Sequence, residues 1–363
     1  MIIEQVEVQR SAFQDTRVTQ HPAPELAEGE VLAKIDRFAL TANNVSYALS
    51  GDMIGYWKFF PTGDPAWGVV PVWGFADVIA SRSDAIGVGE RFWGFLPMAS
   101  HLVLQPAAVT ERAFFDGAAH RRDLPNLYNQ YQRVSADPPE LKALENERCV
   151  LFPLFSTSFI VADYLVDNAY FGAAQVVVAS ASSKTGFGLC HLLSRAEGPR
   201  PRVIGLTSPR NLAFVQNLAV CDEVKTYEDI AALDPSLPTA FVDMAGNASV
   251  VSAVHSHFGA NLTLSSFVGA THWDTPRFAK ADHGGAPYTF FFAPSQFAKR
   301  EKDWGPGETI KRAFSASARM AVHFKGALTP RHDRGAEQVA QTFSALASNQ
   351  IAADVAVMAS INP

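Results

Sequence analysis

The stretch from residue 176 to residue 208 constrains the fold of this chain most strongly. It contains an apolar run at Val176–Ser180, a loop of small residues, a helical pattern and a second apolar run at Val203–Leu206. Continuous apolar runs of this length are typical of parallel strands that are buried on both faces. A strand, a helix and another strand in this order form a βαβ unit. We therefore expect a parallel α/β sheet, with the positive end of a helix dipole at the tip of the first strand, where a phosphate binds well.

The loop of this βαβ unit differs from the usual dinucleotide-binding fingerprint. That fingerprint, G-x-G-x-x-G, needs three glycines, whereas only Gly186 and Gly188 stand near the expected helix start. Ser182 and Ser183 occupy positions where the backbone approaches a pyrophosphate, and their small hydroxyl side chains can fit there and donate hydrogen bonds. Lys184 adds a cation, although a solvated loop lysine explains the same residue equally well. The loop is not a Walker A motif either, because its lysine precedes the glycine.

The end of the second strand indicates which dinucleotide binds. At this place an NAD-specific unit usually carries an Asp or Glu that holds the ribose 2′-hydroxyl. Here the chain reads Thr207-Ser208-Pro209-Arg210, without an acid. Hydroxyls and a guanidinium suit a 2′-phosphate, because arginine offers forked donors and a permanent charge. We therefore predict NADP rather than NAD. The alternative is that Ser208 is a helix N-cap and Arg210 is solvated, and the two interpretations are compatible.

Composition and charge exclude several classes of protein. Apolar residues make up 48% of the 363 residues and charged residues 18%, which favours folded domains over disorder. The net charge of −6 and the lack of a long basic run argue against nucleic acid as the main partner. No apolar stretch reaches the ~18–20 residues that span a bilayer, so no membrane partner is expected. The segment Met1–Arg10 alternates like a strand and lacks an apolar signal core.

The cysteines and histidines indicate neither a disulfide framework nor a metal site. Cys149, Cys190 and Cys221 lie far apart, and a reducing cytoplasm is the default location. No Cys/His cluster has the spacing of a zinc site, so we expect no metal. His272 is a candidate residue of a ligand-binding cleft, because it follows the end of an expected strand.

The rest of the chain divides by pattern into three parts. Residues 1–110 carry many short strand patterns with Gly and Pro turns, which suggests a barrel-like domain. Residues 111–150 form a polar, irregular insertion. Its Tyr128 and Tyr131 either cover a substrate as part of a lid or pin the insertion onto the barrel. Residues 176–270 alternate strands and helices, which is the pattern of a doubly wound parallel sheet.

Two small loops follow later strands of the expected sheet. They are Asp243-Met244-Ala245-Gly246-Asn247 and Phe267-Val268-Gly269-Ala270-Thr271. Ligands of doubly wound sheets lie beyond the carboxyl ends of the strands, so we expect these loops to face the same crevice.

Several short motifs together point to a known superfamily. They are Leu26-x-x-Gly29-Glu30-Val31-Leu32, Val88-Gly89-Glu90-Arg91-Phe92-Trp93-Gly94, Thr185-Gly186-Phe187-Gly188, Val242-Asp243-x-x-Gly246 and Phe267-Val268-Gly269. In their order and spacing the chain resembles the medium-chain dehydrogenase/reductase superfamily, on its zinc-free, quinone-oxidoreductase-like side. Within it the chain is similar to a bacterial family known only as a domain of unknown function, marked by Ser-Ser-Lys-Thr-Gly, Tyr-Asn-Gln-Tyr and Phe-Phe-Ala-Pro.

This resemblance implies an α/β fold with two domains and a nicotinamide cofactor in the cleft between them. Residues 1–150, with the insertion, would form a GroES-like β-barrel domain that is completed by about 280–363. The last apolar run, Ile351–Met358, could return to that domain as a strand. Residues 151–280 would form a Rossmann domain with a doubly wound parallel sheet that binds NADPH or NADP.

The resemblance also implies which residues bind the cofactor. Asn44 would contact the nicotinamide end, and Ser158 would either contact the nicotinamide ribose or carboxamide or cap a helix. The remaining cofactor positions lie at the ends of the expected strands and are Ser182, Ser183, Lys184, Thr185, Gly186, Phe187, Ser208, Arg210, Tyr227, Gly246, Phe267, Val268 and Gly269.

Two tyrosines are candidates for the proton donor of the reaction. Tyr47 and Tyr56 lie in a stretch, 43–56, that resembles the superfamily's substrate-side helix and loop. One of them would hydrogen-bond the substrate carbonyl oxygen, and packing without proton transfer is the alternative for each. Tyr128 and Tyr131 are the candidate substrate-binding residues.

The predicted function is therefore an NADPH-dependent reductase that transfers hydride to an enone, a quinone or a ketone. The alternative is a catalytically weak NADP(H)-binding redox sensor, because no strong acid/base constellation is visible. The expected partner is a small carbonyl compound. An exposed edge strand of the Rossmann sheet could pair across a two-fold axis to make a homodimer.

Overall fold

The computed structural model describes residues 1–269 and 284–362, and they form two compact units. The first unit contains Met1–Val150 and Leu328–Pro363, and the second contains Leu151–Ala327.

The strands, in chain order, are β1 (Ile2–Gln9), β2 (Ala12–Pro22), β3 (Val31–Leu40), β4 (Trp67–Gly68), β5 (Pro71–Ser81), β6 (Arg91–Pro97), β7 (His101–Leu104), β8 (Pro106–Ala107), β9 (Ala113–Asp116), β10 (Gln130–Arg133), β11 (Gln175–Ala179), β12 (Arg202–Thr207), β13 (Glu223–Thr226), β14 (Thr239–Asp243), β15 (Leu262–Phe267), β16 (Tyr288–Phe290), β17 (Thr329–Arg334) and β18 (Val355–Ser360). The α-helices are α1 (Ala42–Leu49), α2 (Gly51–Ile54), α3 (Pro139–Lys142), α4 (Glu145–Asp167), α5 (Lys184–Ser194), α6 (Leu212–Leu218), α7 (Ala248–Phe258), α8 (Ala293–Trp304), α9 (Glu308–His323) and α10 (Ala336–Ala347).

The first unit is built mainly from antiparallel strands. β1 lies between β2 and β4 in a small sheet, and the larger sheet has the order β17-β18-β3-β5-β6-β10-β9-β8, with β7 also paired to β3. The predicted return of the C-terminal run is confirmed, because β18 pairs with β3 through Val357 and Leu40. Buried aromatic side chains from β5 and β6, such as Phe75 and Phe95, fill the interior of this unit.

The 111–150 segment is more regular than its sequence suggests. β10 pairs with β6 through Gln132 and Trp93, and β9 pairs with β10, so the segment extends the larger sheet. The segment also contains a buried ion pair between Arg121 and Asp116 at 3.1 Å, with 1% and 2% of the two side chains exposed. Polar residues therefore make core contacts here, which is why apolar periodicity gives no signal for these strands.

The second unit contains a six-stranded parallel sheet of order β13-β12-β11-β14-β15-β16. β11 is buried along its whole length, as the apolar run at 176–180 predicts. From β11 the chain moves outward to β12 and β13, then returns to the other side of β11 at β14. This reversal is the topological switch point of a doubly wound fold. The predicted fold class, a Rossmann sheet plus a GroES-like β domain, is confirmed.

The register of the parallel sheet aligns the ends of its strands. Ala179 pairs with Leu206 on one side and with Asp243 on the other. Asp243 pairs in turn with Phe267, and Phe267 pairs with Phe290. The loops that follow β11, β12, β14 and β15 therefore leave the same edge of the sheet.

The second unit extends to Ala327, later than the boundary near 280 that the sequence suggests. The reason is that α8 and α9 pack against α4. Arg300 of α8 donates to Asp163 of α4 at 2.7 Å, and the rings of Phe314 and Phe152 lie 6.2 Å apart.

Among the described helices, α4 is the one whose length and apolar composition would allow it to cross a membrane. Most of its apolar window is buried within the protein, as in the core helix of a globular domain. The helix begins at Glu145, and Pro153 lies inside it.

A histidine pair lies between α5 and α9. The rings of His191 and His323 are 4.5 Å apart, and Phe324 lies 5.1 Å from His191. The buried Nδ1 of His191 has no hydrogen-bond partner among the described residues. Burial, with smaller effects from Arg195 and His323, lowers the pKa of His191 to about 4.

We therefore predict that His191 makes the protein less stable in acid. A histidine in the unfolded chain has a pKa of about 6.5, and His191 in the folded protein has a pKa of about 4. Between these two pH values the unfolded chain binds a proton that the folded protein does not bind. The free energy of unfolding is therefore unaffected by His191 above about pH 6.5 and falls as the pH drops through this window. At pH 5 we expect a loss of roughly 1 kcal/mol, reduced by solvent screening of the half-buried ring. Urea unfolding of His191→Gln at pH 7 and pH 5 should show a smaller acid loss than the wild type.

The matched control is His332→Gln, which removes an exposed histidine of β17 in the first unit. It should retain the wild-type loss between pH 7 and pH 5. An undiminished loss in His191→Gln would contradict the prediction.

Candidate functional site

The loop after β11 turns tightly into α5. Ser183 caps the helix, and its Oγ accepts a hydrogen bond from the Gly186 N–H at 3.0 Å. A β-carbon at Gly186 would lie 2.4 Å from the carbonyl oxygen of Ser180, so a larger residue would need a backbone shift. Lys184 and Thr185 open the first turn of α5, so they lie at the positive end of the helix dipole. This geometry is suited to an anion.

The end of β12 is tied to this loop and carries two unpartnered hydroxyls. The side-chain amide of Asn211 donates to Ser182 Oγ at 3.1 Å. Thr207 is fully buried, and the hydroxyl oxygens of Thr207 and Ser208 are buried without a hydrogen-bond partner among the described residues. Ser208 stands at the N-cap position of a 3-10 turn that begins at Pro209, as the alternative interpretation expects, although its side chain makes no cap hydrogen bond. Arg210 follows in a 3-10 turn and is exposed.

Buried hydroxyls without partners destabilise a fold, and native proteins contain few of them. Thr207 is fully buried and offers no surface to a ligand, whereas Ser208 is half-buried and Arg210 is exposed. Ser208 and the guanidinium of Arg210 suit the 2′-phosphate of NADP, and the anion-suited start of α5 suits its pyrophosphate.

A buried carboxylate shapes the loop after β14. Asp243 accepts hydrogen bonds from the backbone N–H groups of Ala245 at 2.9 Å and Gly246 at 3.1 Å. It also accepts one from the Tyr288 hydroxyl at 2.7 Å. Gly246 has a φ of +74°, a conformation that glycine adopts without strain. The backbone N–H of Val268 donates to the Asp243 carbonyl oxygen at 2.8 Å, which joins this loop to the loop after β15.

Tyr288 is a supporting residue that the sequence reasoning missed as part of the site. Its ring stacks on Phe267 with centroids 4.9 Å apart, while its hydroxyl holds Asp243. The aromatic run at 288–292 was visible in the sequence, but its pairing with the motif at Asp243 depends on β16 joining the parallel sheet. Gly269 ends the described part of this loop, and His272 lies outside the described residues.

Tyr227 follows β13, and its hydroxyl reaches the end of β11. Its hydroxyl oxygen accepts a hydrogen bond from the Ser180 N–H at 3.2 Å and lies 3.0 Å from Ser180 Oγ. Burial raises the pKa of Tyr227, so its hydroxyl is protonated at neutral pH. Tyr227 thus supports the start of the loop between β11 and α5.

Two predicted cofactor residues have structural roles in the second unit. Phe187 is fully buried against Phe155, and its backbone N–H donates to the Ser183 carbonyl. Ser158 is also fully buried, and its Oγ lies 2.8 Å from the Thr185 carbonyl oxygen. Ser158 stands in the middle of α4, not at a helix start. These placements do not support direct cofactor contact, because neither side chain has exposed surface.

Asn44 has a structural role in the first unit. Its Oδ1 accepts a hydrogen bond from the Thr41 N–H at 2.7 Å, and its Nδ2 donates to the Pro71 carbonyl at 2.9 Å. The side chain is 3% exposed. Asn44 therefore closes the capping box of α1, and its placement does not support the predicted nicotinamide contact.

Three tyrosines of the first unit come together in one cluster. The rings of Tyr47 and Tyr56 are 4.6 Å apart, and Tyr128 lies 5.4 Å from Tyr56. The Tyr56 and Tyr128 hydroxyl oxygens are 2.8 Å apart, while the Tyr47 oxygen accepts a hydrogen bond from Trp73 Nε1 at 3.0 Å. Phe95 packs against all three rings. We call Tyr47, Tyr56 and Tyr128 the tyrosine cluster.

Each hydroxyl of the tyrosine cluster is protonated at neutral pH. Burial raises the pKa of Tyr47, Tyr56 and Tyr128 above its ordinary value. A protonated phenol donates one hydrogen bond and accepts others. The cluster can therefore donate a proton to an oxygen that becomes negative, but it cannot act as a base near neutral pH.

Tyr131 lies in the core of the first unit. Its side chain is fully buried, its hydroxyl donates to the Phe95 carbonyl at 2.8 Å and it accepts from Arg121 at 2.8 Å. A β-carbon at Gly94 would lie 2.3 Å from the Tyr131 ring, so the two residues are closely packed. Of the two interpretations of the insertion's tyrosines, Tyr131 fits the pinning role. Its placement does not support substrate contact.

Across residues 1–269 and 284–362, no group of three or more His, Cys, Asp or Glu side chains is arranged to hold a metal ion.

Solved structures share this fold. The chain is similar to CurA from Vibrio vulnificus in complex with NADPH, with a TM-score of 0.64, 13% identity and 99% of each chain covered. It is similar to mycobacterial Rv1454c complexed with NADPH, with a TM-score of 0.58, 15% identity and coverage of 98% of this chain and 99% of that one. It is also similar to the quinone oxidoreductase from Coxiella burnetii, with a TM-score of 0.53, 12% identity and complete coverage of both chains.

A comparison with curated proteins found no significant match. The family model described as "Protein of unknown function (DUF2855)" matches residues 38–352, which is most of the chain. The resemblance to a family of unknown function is thereby confirmed, and the structural similarities agree with the superfamily expected around it. The chain belongs to this family of proteins of unknown function, with the fold of the medium-chain dehydrogenase/reductase superfamily.

Proposed function

We propose that the protein is an NADPH-dependent reductase of the zinc-independent medium-chain type. The observation that carries this proposal is the end of β12, where no acid follows the strand and the half-buried Ser208 precedes the exposed Arg210. Two similar structures, those of CurA and Rv1454c, are complexes with NADPH, which supports the same cofactor. A cytoplasmic location belongs to the proposal, since all three cysteines are free.

Three groups of residues in the second unit would bind different parts of this cofactor. Ser183, Lys184 and Thr185, at the start of α5, would hold the pyrophosphate. Ser208 and Arg210 would hold the 2′-phosphate. The backbone of the loops after β14 and β15, at Gly246, Val268 and Gly269, would face the ribose and nicotinamide.

When bound, the cofactor supplies the hydride. What the chain must provide is a proton for the substrate oxygen and a dry environment in which that proton transfer is favourable. The tyrosine cluster provides protonated hydroxyls among apolar rings. The substrate class that suits such a surface is an enone, a quinone or a ketone of apolar character.

The second candidate function is an NADP(H)-binding redox sensor with little catalysis. The observation that favours it is the burial of Tyr47 and Tyr56, which are 7% and 5% exposed. A sensor would need the phosphate contacts of the second unit but not a proton donor.

We predict that NADPH binds more tightly than NADH and that Arg210→Ala removes most of the difference. A charge-assisted hydrogen bond to a phosphate contributes about 1.5–3 kcal/mol, so NADPH affinity should fall roughly 10- to 100-fold. NADH affinity should be unchanged, because it lacks the 2′-phosphate. Isothermal titration calorimetry at neutral pH and low salt measures both.

The matched control is Arg202→Ala, which removes an exposed arginine at the opposite end of the same strand. It should leave both affinities near the wild-type values. Tighter binding of NADH than of NADPH by the wild type, or equal NADPH affinity in Arg210→Ala, would reject the assignment.

We further predict that the protein oxidises NADPH when a carbonyl acceptor is present. The test measures the loss of absorbance of NADPH with 2-cyclohexenone, menadione and an aliphatic ketone as separate acceptors. Turnover with at least one of them supports the reductase. Binding of NADPH without turnover on an extended acceptor panel would favour the sensor.

The proposal includes a homodimer that forms through β16. β16 is the edge strand of the parallel sheet as described. Phe290 at its end and Phe292 just after it are 41% and 48% exposed. An unpaired edge strand with exposed aromatic residues is suited to pairing with a second copy.

We predict that light scattering after gel filtration gives twice the chain mass of 39.3 kDa. Phe292→Lys should shift the population toward the monomer, because it places a charge in the interface. Val322→Lys, which changes an exposed valine of α9, is the control and should remain dimeric. A monomeric wild type at micromolar concentration would contradict the prediction.

A further inference from the structure

The hydroxyl pair of Tyr56 and Tyr128 differs from the third hydroxyl of the tyrosine cluster. The two oxygens lie 2.8 Å apart, so one hydroxyl donates to the other. The pair has two protons and uses one internally, which leaves one proton for an external acceptor. The Tyr47 oxygen instead accepts from Trp73 within the core.

Exposure distinguishes the two members of the pair. Tyr56 is 5% exposed, whereas Tyr128 is partly exposed. A phenolate costs less free energy where water or polar groups reach it. The negative charge left by proton transfer is therefore more stable on Tyr128 than on Tyr56.

The hydrogen bond acts in the same direction. Burial raises the pKa of Tyr128, and the bond from Tyr56 counteracts part of that increase. The same bond raises the pKa of Tyr56, which burial has already raised. This asymmetry favours the arrangement in which Tyr56 donates to Tyr128.

We propose that Tyr128 is the catalytic proton donor to the substrate oxygen and that Tyr56 is a positioning residue that donates to the Tyr128 oxygen. This inference rests on the proposed reductase function. It gives the inserted segment a catalytic role, because Tyr128 comes from the 111–150 insertion while Tyr56 comes from the N-terminal part of the chain.

The proton balance of the step is complete. When bound, NADPH would supply the hydride that forms the new C–H bond. For a ketone the carbonyl π electrons would move to oxygen, and for an enone the conjugated π system would shift so that the carbonyl oxygen takes the charge. The Tyr128 O–H bond would break, the proton would join that oxygen and the phenolate would accept the hydrogen bond from Tyr56, while an enol formed from an enone would isomerise to the ketone. A proton from water restores Tyr128, so the overall reaction consumes one NADPH and one proton for each reduced substrate.

The insertion holds Tyr128 in place through its own buried contacts. The side-chain amide of Asn129 donates to the Arg121 carbonyl at 3.1 Å, and the Asn129 carbonyl accepts from the Asp116 N–H at 2.8 Å. The Tyr128 ring packs against Phe95 with centroids 4.6 Å apart. Fixed rings and fixed hydroxyl positions are what a proton donor requires.

Steady-state kinetics with the best carbonyl acceptor test the assignment. General acid catalysis contributes roughly 10²–10⁴-fold, so Tyr128→Phe should lower kcat by about 100-fold or more. Tyr56→Phe should lower it less, by about tenfold, because it removes only the support. Both variants keep their rings, and both should bind NADPH with wild-type affinity in calorimetry.

Tyr164→Phe is the matched control, since it removes a partly exposed tyrosine hydroxyl in the second unit. It should retain the wild-type kcat. A loss in Tyr47→Phe or Tyr56→Phe larger than that in Tyr128→Phe would overturn the assignment, as would wild-type turnover in Tyr128→Phe. A wild type that binds no NADPH would instead remove the proposed function, and this inference with it.

A spectroscopic measurement tests the same contact without turnover. The enal 4-dimethylaminocinnamaldehyde absorbs at longer wavelength when its oxygen accepts a hydrogen bond. With NADP present, which cannot give hydride, the wild-type protein should shift its absorption to the red. Tyr128→Phe should abolish this shift and Tyr164→Phe should retain it. A shift that persists in Tyr128→Phe, or its absence in the wild type, would overturn the assignment.

Discussion

The second unit depends on the shared register of four buried parallel strands. Ala179, Leu206, Asp243 and Phe267 stand in a row at one edge of the sheet. This row fixes where each following loop begins. It sets the loop after β11 beside the end of β12 and joins the loops after β14 and β15 at Asp243. A one-residue slip of β12 would reverse the faces of its side chains and move its end away from the loop after β11. The cofactor assignment therefore depends on backbone pairing before it depends on any side chain.

The loop between β11 and α5 carries serine and lysine where a dinucleotide-binding loop usually carries glycine. Only Gly186 approaches the backbone too closely for a side chain, at the Ser180 carbonyl, and Gly188 makes room for Ser158 and Phe155 of α4. The other loop positions carry side chains that themselves make hydrogen bonds, as Ser183 does to Gly186 and Ser182 does with Asn211. Glycine is thus retained where backbone and helices meet, and hydroxyl residues occupy the positions that would face a ligand.

The first unit shows how a polar insertion becomes part of an apolar core. The ion pair of Arg121 and Asp116 is buried, and a buried ion pair requires good geometry and further hydrogen bonds to offset the loss of solvation. Tyr131 supplies one of those bonds. The Arg121 carbonyl also accepts a hydrogen bond from Asn129, the residue after Tyr128, so these buried contacts help to fix the position of Tyr128. The Tyr128 hydroxyl oxygen lies 2.8 Å from that of Tyr56.

The sequence by itself determined the parallel sheet, the loop of small residues before α5 and the lack of an acid after β12. These are local features, since apolar runs, a serine cap and the residues of one turn leave their signal within a few neighbouring positions. Only the tertiary structure separated the residues that can meet a ligand from those that pack. It placed Asn44, Ser158, Phe187 and Tyr131 in structural roles, joined Tyr288 to Asp243 and brought Tyr128 to Tyr56, 72 positions apart in the chain. Such contacts depend on strand pairing and buried polar networks, and sequence periodicity does not record which distant residues these bring together.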